Sequence, residues 1–204
     1  MRKFGVLVGL IVFAGLPARA QNEYPKVELF AGYSYASTDL PRFTNRVPRM
    51  NGHGWAASIA GNLTRHFGIT ADFAGQYGTG DVQAFFETTG RLESRRINFS
   101  NHQLLFGPRF SVRRERATGF AHALFGVVHI RSSGFSVPFV IGLVRITPET
   151  DFAMAYGGGL DVNASKRLAV RVFQVDYIAV RGRGNWLHNV RAQAGIVIKV
   201  GEGF

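Results

Sequence analysis

Apolar and polar residues alternate with a period of two along much of this chain. In the clearest segment the apolar side chains share one parity and the polar side chains share the other: Phe67, Ile69, Ala71, Phe73 and Tyr77 against Thr70, Asp72 and Gln76. Such alternation places the two sets on opposite faces of a β-strand. Comparable segments predict eight strands, at 26–36, 53–63, 67–77, 102–112, 120–130, 152–162, 168–178 and 190–200. Each has close to the roughly 9–11 residues that a tilted strand needs to cross a membrane.

The connections between the predicted strands alternate in length. Those after the second, fourth and sixth strands are short, at 64–66, 113–119 and 163–167. Those after the first, third and fifth are long, at 37–52, 78–101 and 131–151, and the connection 179–189 is intermediate. Short periplasmic turns and long outer loops are typical of outer-membrane barrels. We therefore predict an all-β fold, an antiparallel up-and-down transmembrane β-barrel of eight strands, with both ends of the chain in the periplasm.

Three features depart from simple alternation. In the fifth predicted strand, apolar residues occupy both parities and each face carries one histidine. In the seventh, Arg171 has the opposite parity to Gln174 and Asp176, which indicates either a bulge between them or an arginine that reaches to the rim. Pro108 lacks a backbone donor for the ladder, which favours a bulge near the end of the fourth strand.

The first twenty residues have the pattern of a secretory signal peptide. Arg2 and Lys3 precede the uncharged apolar segment 4–16, and small residues follow in Ala18-Arg19-Ala20. The apolar segment is shorter than the roughly 18 residues of a membrane-spanning helix, which disfavours the alternative of an N-terminal anchor. We expect cleavage after Ala20, which leaves 21–204 as the barrel domain and directs it to the bacterial outer membrane.

Composition excludes several classes of site. The chain has no cysteine, so a zinc finger, a thioredoxin-like site and a cysteine nucleophile are excluded. Its six histidines show no metal-ligand spacing, and no motif predicts a cofactor or a metal. The formal net charge of +11 would suit nucleic acid, but the export signal argues against that partner.

Charged residues of both signs fall on the parity that we assign to the barrel interior. The predicted lumen network comprises Glu28, Asp72, Arg109, Asp161, Arg171, Asp176 and Arg191, with Arg171 and Asp176 joining if the bulge is present, and Lys199 shares this parity. The interior of an eight-stranded barrel is just wide enough for side chains to fill it, and unpaired buried charges are costly. We therefore predict a salt-bridged plug, for which Gly157–Gly159 would leave room for crossing arginine side chains. A narrow pore for small solutes remains the alternative.

The sequence resembles the small eight-stranded outer-membrane barrels, in particular the transmembrane domain of outer membrane protein A and its porin-family relatives. The segments that carry the resemblance are Val27–Tyr35, Leu105–Phe110, Gly157–Val162 and Val190–Ile196. It implies the barrel architecture, an envelope location and the barrel-assembly machinery as a partner during insertion. In such chains an aromatic residue that ends the last strand is read by this machinery, and here Phe204 follows Val200 after Gly-Glu-Gly.

For function, the sequence predicts a non-enzymatic structural or interaction role in the envelope. Arginines fill the predicted loops and fit the phosphates of lipopolysaccharide in the outer leaflet: Arg42, Arg46, Arg49, Arg91, Arg95, Arg96, Arg131, Arg145, Arg181 and Arg183. The apolar segment 137–144 in the third loop predicts either a hairpin above the membrane or a partner contact.

Two alternatives of other classes stay open. A lipid A-modifying enzyme would use residues around the third loop, namely His129, Ser132, Ser133 and Glu149. No motif of those enzymes is present, so we predict no catalytic residue. A soluble lipocalin-like barrel would place the apolar faces inside instead of outside.

Overall fold

The computed structural model of the chain describes residues 24–39, 49–86, 91–133, 137–139, 142–144, 149–182 and 185–203. The predicted signal peptide, its cleavage site and Phe204 lie outside these ranges. Within the described part of the chain, no helix is long and apolar enough to cross a bilayer.

Ten strands are present in the described residues. They are β1 (Tyr24–Asp39), β2 (Arg49–Asn62), β3 (Phe67–Phe86), β4 (Arg91–Arg113), β5 (Ala117–Ser133), β6 (Val137–Phe139), β7 (Gly142–Val144), β8 (Glu149–Asn163), β9 (Leu168–Gly182) and β10 (Asn185–Gly203). Eight of them close into a barrel in the order β1-β10-β9-β8-β5-β4-β3-β2, and every neighbouring pair is antiparallel. The predicted fold, a closed up-and-down barrel of eight strands, is confirmed.

The period of two that predicts the strands also sorts the side chains between the two faces of the wall. On β3, Ile69 and Phe73 are exposed on the outside, whereas Thr70 and Asp72 are buried in the lumen. Large apolar residues cover the outer face of the other barrel strands in the same way. A soluble barrel would show the reverse arrangement, so the structure favours a barrel that faces lipid.

The strands extend further than the sequence predicts at one end of the barrel. β3 has 20 residues and β4 has 23, and their pairing continues from Tyr77↔Ser100 to Phe86↔Arg91. The predicted long loop 78–101 is therefore mostly a projecting hairpin. Alternation gives no signal there because a hairpin beyond the membrane has no single lipid-facing side. We call this end of the barrel the hairpin end.

Two other predicted loops also contain strand. β9 and β10 approach within three positions of each other, at Gly182 and Asn185, where the sequence predicts a connection over 179–189. In the third loop, β6 pairs with β7 as a separate two-stranded sheet, which is the hairpin alternative. The opposite end carries the short turns 63–66, 114–116 and 164–167, and we call it the turn end.

The bulge alternative for Arg171 is the one that the structure adopts. Leu160 pairs with Phe173 while Asp161 pairs with Arg171, so the register shifts by one residue between them. Val172 and Phe173 both face outward, which lets Arg171 and Gln174 both point into the lumen. Parity counted from one side of a bulge assigns the wrong face on the other side.

Pro108 does not create the bulge that its missing donor suggests. It pairs with Ile69, and the register of β4 is the same on both sides of it against β3 and β5. The ladder to β5 instead has no paired residues at Gly107 and Pro108, so the lost hydrogen bond is absorbed locally without an inserted residue.

The fifth predicted strand, now β5, is ambiguous in sequence because its inner face is largely apolar. Leu124 and Val128 are buried in a lumen cluster with Leu105, Ala153, Ala155, Ile178 and Val180. Half-buried Ile130 and Leu187 pack against this cluster. The outer face of β5 is apolar too, with Phe125 and Val127 exposed, so neither parity stands out.

Candidate functional site in the barrel lumen

All seven residues of the predicted lumen network are buried and face the interior. They are Glu28, Asp72, Arg109, Asp161, Arg171, Asp176 and Arg191. They come from six of the eight barrel strands, so their contacts are set by how those strands are arranged around the barrel. The structure sorts them into two clusters joined by a glutamine.

The lower cluster lies nearer the turn end and joins four strands. Arg109 Nη1 lies 3.0 Å from Glu28 Oε2, and Arg109 Nη2 lies 3.5 Å from Asp161 Oδ2. Arg171 donates from Nε and Nη2 to the two oxygens of Asp161, at 2.8 and 3.1 Å. This two-pronged contact is the strong geometry of an arginine–carboxylate pair. Arg113 completes the cluster, with its Nη2 at 2.8 Å from Glu28 Oε1.

Two phenylalanine rings are interleaved with the arginines of the lower cluster. The guanidinium carbon of Arg171 lies 4.2 Å from the ring centre of Phe30 and 4.4 Å from that of Phe120. Arg109 covers the same Phe120 ring at 4.1 Å. Arginine stacks well on aromatic faces because its planar cation is weakly hydrated. The rings therefore stabilise two cations of like charge side by side in the lumen.

The upper cluster is centred on Arg191 of β10, whose side chain is fully buried. Its Nη1 lies 2.7 Å from Asp72 Oδ1 on β3, and its Nη2 lies 2.7 Å from Asp176 Oδ2 on β9. Nη1 also donates to Gln103 on β4 at 3.0 Å. One guanidinium thus crosses the lumen and connects four strands. His122 Nε2 lies 2.9 Å from the second oxygen of Asp176.

Neutral amides join the two clusters and extend the network. Gln174 accepts a hydrogen bond from Arg171 at 2.7 Å and donates one to Asp176 at 2.9 Å. On the other side of the lumen, Gln103 donates to Gln76 at 3.2 Å and Gln76 donates to Ser34 at 2.9 Å. A continuous chain of polar contacts therefore runs along the barrel axis and across it.

The glycines of β8 make this packing possible, though not as predicted. A Cβ on Gly157 would overlap the carboxylate of Asp176. A Cβ on Gly159 would lie 2.8 Å from Cζ of Phe120. The space is therefore taken by a carboxylate and an aromatic ring, and not by crossing arginines as the sequence analysis expects.

Sequence reasoning missed several members of this network. Arg113 falls in the predicted turn 113–119, but it lies at the end of β4 with its side chain turned into the lumen. The predicted network also omits Phe30, Phe120 and His122, although each has the inward parity of its strand. Lys199 has the predicted inward parity, and its Nζ donates to Asn163 Oδ1 at 2.5 Å.

Outside the barrel, tyrosines and histidines pair across neighbouring strands near the hairpin end. Tyr77 and His102 approach to 3.2 Å between the hydroxyl and Nε2, and two further pairs contact in the same way, Tyr33 with His53 and Tyr177 with His188. His102 lies opposite His129 in the β4–β5 ladder. Amphipathic rings of this kind form girdles at membrane–water interfaces. We call these residues the outer girdle.

An open groove of about 600 Å³ lies above the girdle on β3, β4 and β5. Its lining includes Tyr77, Ser100 and the exposed guanidinium of Arg131. Among the ten loop arginines of the sequence analysis, Arg131 and Arg181 have described side chains and both are exposed. The other eight have side chains outside the described set.

His129 contacts a threonine hydroxyl and an arginine. Its Nδ1 lies 2.7 Å from Thr150 Oγ1, and its Nε2 accepts from Arg131 Nε at 3.0 Å. A catalytic base needs a nucleophile within hydrogen-bond reach. The side chains of Ser132, Ser133 and Glu149 lie outside the described set. In the described part of the chain, no group of three or more potential ligands could hold a metal ion.

Comparisons with solved structures find the same barrel. Neisserial surface protein A has a TM-score of 0.60 and 8% identical residues, over 87% of this chain and 98% of that one. OprG of Pseudomonas aeruginosa has a TM-score of 0.48 and 10% identity, over 89% and 95%. Ail, the attachment invasion locus protein of Yersinia pestis, solved with the heparin analogue sucrose octasulfate, has a TM-score of 0.47 and 15% identity, over 85% and 99%. No protein-family model matches the sequence, and the comparison with curated proteins finds no match.

Proposed function

We propose that the protein is a bacterial outer-membrane barrel with a structural or interaction role in the envelope and a lumen closed by salt bridges. The observation that carries the proposal is Arg191, which is fully buried and joins Asp72 and Asp176 across the interior. A water-filled channel needs space on the barrel axis, and this side chain occupies that space.

Three groups of buried side chains support a closed lumen. The lower cluster fills the interior near the turn end, and the upper cluster lies above it. On β5 and β9, beyond His122 and Asp176 toward the hairpin end, apolar side chains including Leu124, Val128 and Ile178 pack together. An ion that crosses the barrel would have to break buried ion pairs and then pass the apolar cluster. Both steps are costly, and an eight-stranded barrel leaves little room to bypass them.

Transport of small solutes tests this part of the proposal. Vesicles that contain the purified, folded protein are diluted into isotonic solutions of small sugars or amino acids, and swelling is followed by light scattering. We expect these vesicles to swell at the same rate as vesicles without protein. Swelling that becomes faster with the amount of protein and depends on solute size would contradict the closed lumen and favour the narrow pore.

The location proposal combines the predicted signal peptide, the apolar outer face and the tyrosine–histidine girdle. Insertion would proceed through the barrel-assembly machinery. Cell fractionation should recover the protein in the outer membrane, and unboiled samples should migrate differently from boiled ones on a denaturing gel. Recovery as a soluble periplasmic protein would contradict the location.

The proposed partner outside the barrel is the phosphate of lipopolysaccharide. Arg131 lies in an open groove beside Tyr77 and Ser100, just beyond the girdle, where a lipid headgroup would lie. A guanidinium suits phosphate because it offers several donors in a fixed plane. The lipopolysaccharide that co-purifies per barrel should fall in Arg131→Gln but not in Arg114→Gln, which changes an exposed arginine at the turn end. Equal amounts in wild type and both variants would remove Arg131 from the proposal.

A further inference from the structure

Positive charge is concentrated around the turn end of the barrel. Six basic side chains, all at least partly exposed, surround it, and we call them the basic rim: Lys26, Arg65, Arg114, Arg116, Lys166 and Arg167. Among the described side chains of the three turns, Glu115 is the single acid. Mixed charges would be expected if the rim only kept these turns in water. The excess of one sign points to an anionic partner.

The interior behind the rim does not neutralise it. In the lower cluster the two carboxylates of Glu28 and Asp161 face the three guanidinium groups of Arg109, Arg113 and Arg171. Half-buried Lys199 adds a fourth cation beside Asn163. Nε of Arg113 has no hydrogen-bond partner although its side chain is only 9% exposed. The lumen mouth therefore adds to the positive field of the rim.

Hydrogen bonds between the turns hold the rim in a fixed arrangement. Arg113 donates to the backbone carbonyl of Arg65, which ties the first turn to the second. Asn163 donates from its side chain to the carbonyl of Glu115 at 2.9 Å and from its backbone to that of Arg116 at 2.9 Å, which ties the second turn to the third. The backbone that carries these cations is therefore preorganised, which lowers the entropic cost of binding.

The position of the rim relative to the lipid-facing band indicates the kind of anion. Its residues follow directly on the outward apolar side chains that end the lipid-facing band, and Leu63, Val112 and Leu168 are 62%, 45% and 41% exposed. Arg65, Arg114 and Arg167 stand within two positions of these residues in the chain. A basic side chain at the end of a lipid-facing strand lies in the headgroup layer. The anion at that depth is the phosphate of a phospholipid.

We propose that the basic rim binds anionic phospholipids, such as phosphatidylglycerol, in the inner leaflet of the outer membrane. The proposal rests on the location given above, with the turns facing the periplasm. It assigns the two ends of the barrel to different lipids, lipopolysaccharide at the hairpin end and anionic phospholipid at the turn end. It also explains why cations are gathered at an end where no lipopolysaccharide is present.

Lipid selection from a defined bilayer tests the proposal. The folded full barrel is placed in nanodiscs of equal phosphatidylglycerol and phosphatidylethanolamine, extracted in mild detergent, and its retained lipid is measured by mass spectrometry. Near an anionic surface each basic side chain favours the anionic lipid by about fivefold. We expect at least about fivefold enrichment of phosphatidylglycerol with the wild-type protein.

The variant Arg114→Gln/Arg116→Gln/Lys166→Gln/Arg167→Gln removes four of the six rim cations and should lower that enrichment by at least about fivefold, leaving what Lys26 and Arg65 provide. The matched control Glu115→Gln, which changes an exposed side chain of the same turns without removing a cation, should not lower the enrichment. If the first variant fails to fold, Arg114→Lys/Arg116→Lys/Arg167→Lys keeps the charge and should keep the enrichment.

Three results would overturn the proposal: no enrichment by the wild-type barrel, loss in the control variant, or loss in the lysine variant. Binding of purified cell-wall sacculi without lipid enrichment would assign the rim to peptidoglycan carboxylates instead. Heat-modifiability of the same preparations shows whether the barrel has folded and inserted. A barrel that folds and inserts but shows no lipid preference refutes the lipid-binding proposal and leaves the proposed location intact.

Discussion

Replacing Arg191 with methionine removes the cation at the centre of the upper cluster while keeping most of its volume. The substitution leaves Asp72 and Asp176 buried without their shared partner. Asp176 retains His122 and Gln174 as hydrogen-bond donors, each at 2.9 Å. The loss of Arg191 therefore affects Asp72 more than Asp176. Removing one member of a buried ion pair costs about 3–5 kcal/mol, because the remaining charge stays desolvated. We expect the free energy of unfolding to fall by about that amount.

The matched control removes the whole charge group together. In Arg191→Met/Asp72→Asn/Asp176→Asn no uncompensated charge is left, and replacing a complete buried ion network is often close to neutral. We expect this triple variant to unfold within about 2 kcal/mol of the wild type, and to be more stable than the single variant. The difference between the two variants isolates the electrostatic contribution from the loss of packing.

Equilibrium unfolding by denaturant in lipid vesicles measures both variants. Tryptophan fluorescence reports the transition because Trp55 and Trp186, the only tryptophans of the chain, are 47% and 43% exposed on the outer surface, where lipid would surround them. Heat-modifiability confirms that each variant starts from a folded barrel. The reasoning is refuted if Arg191→Met loses less than about 1 kcal/mol, or if the triple variant is as unstable as the single one.

Two further predictions concern the barrel wall. Ile69→Arg puts a charge on the lipid-facing surface and should cost about 2–4 kcal/mol of unfolding free energy in vesicles, whereas His66→Arg in an exposed turn should cost almost none; equal costs would show that the two faces are wrongly assigned. Gly157→Ala puts a methyl group into the carboxylate of Asp176 and should cost about 1–3 kcal/mol. Gly61→Ala, where a Cβ meets nothing within 4 Å, is its control, and an equal effect at Gly61 would refute the packing argument.

The sequence predicts the barrel well because the membrane imposes a strong pattern on the strands. One face meets lipid and the other meets a narrow polar interior, so alternation alone locates the cores of the barrel strands. The pattern weakens where one of these conditions fails. β3 and β4 project beyond the membrane as far as Phe86 and Arg91. The inner face of β5 packs on apolar neighbours, so both faces of this strand carry apolar residues and the sequence does not distinguish them.

The sequence predicts which residues belong to the candidate site, but not which of them contact one another. Parity places Arg191, Asp72 and Asp176 on the inner face, yet it carries no information on which strands lie opposite one another. The pairing follows from the order of strands around the closed barrel and from the register between them. Arg113 was missed for a related reason, since its strand continues through a position that the sequence assigns to a turn.

Single-channel recording in a planar bilayer tests the central claim most directly. The purified wild-type barrel is inserted from mild detergent, and the current is followed under an applied voltage. Because the ion pairs of Arg191 and the apolar cluster fill the lumen, we expect the current to stay at the level of the bare membrane. Stable stepwise currents from the unmodified protein would contradict the account and identify the lumen as a pore.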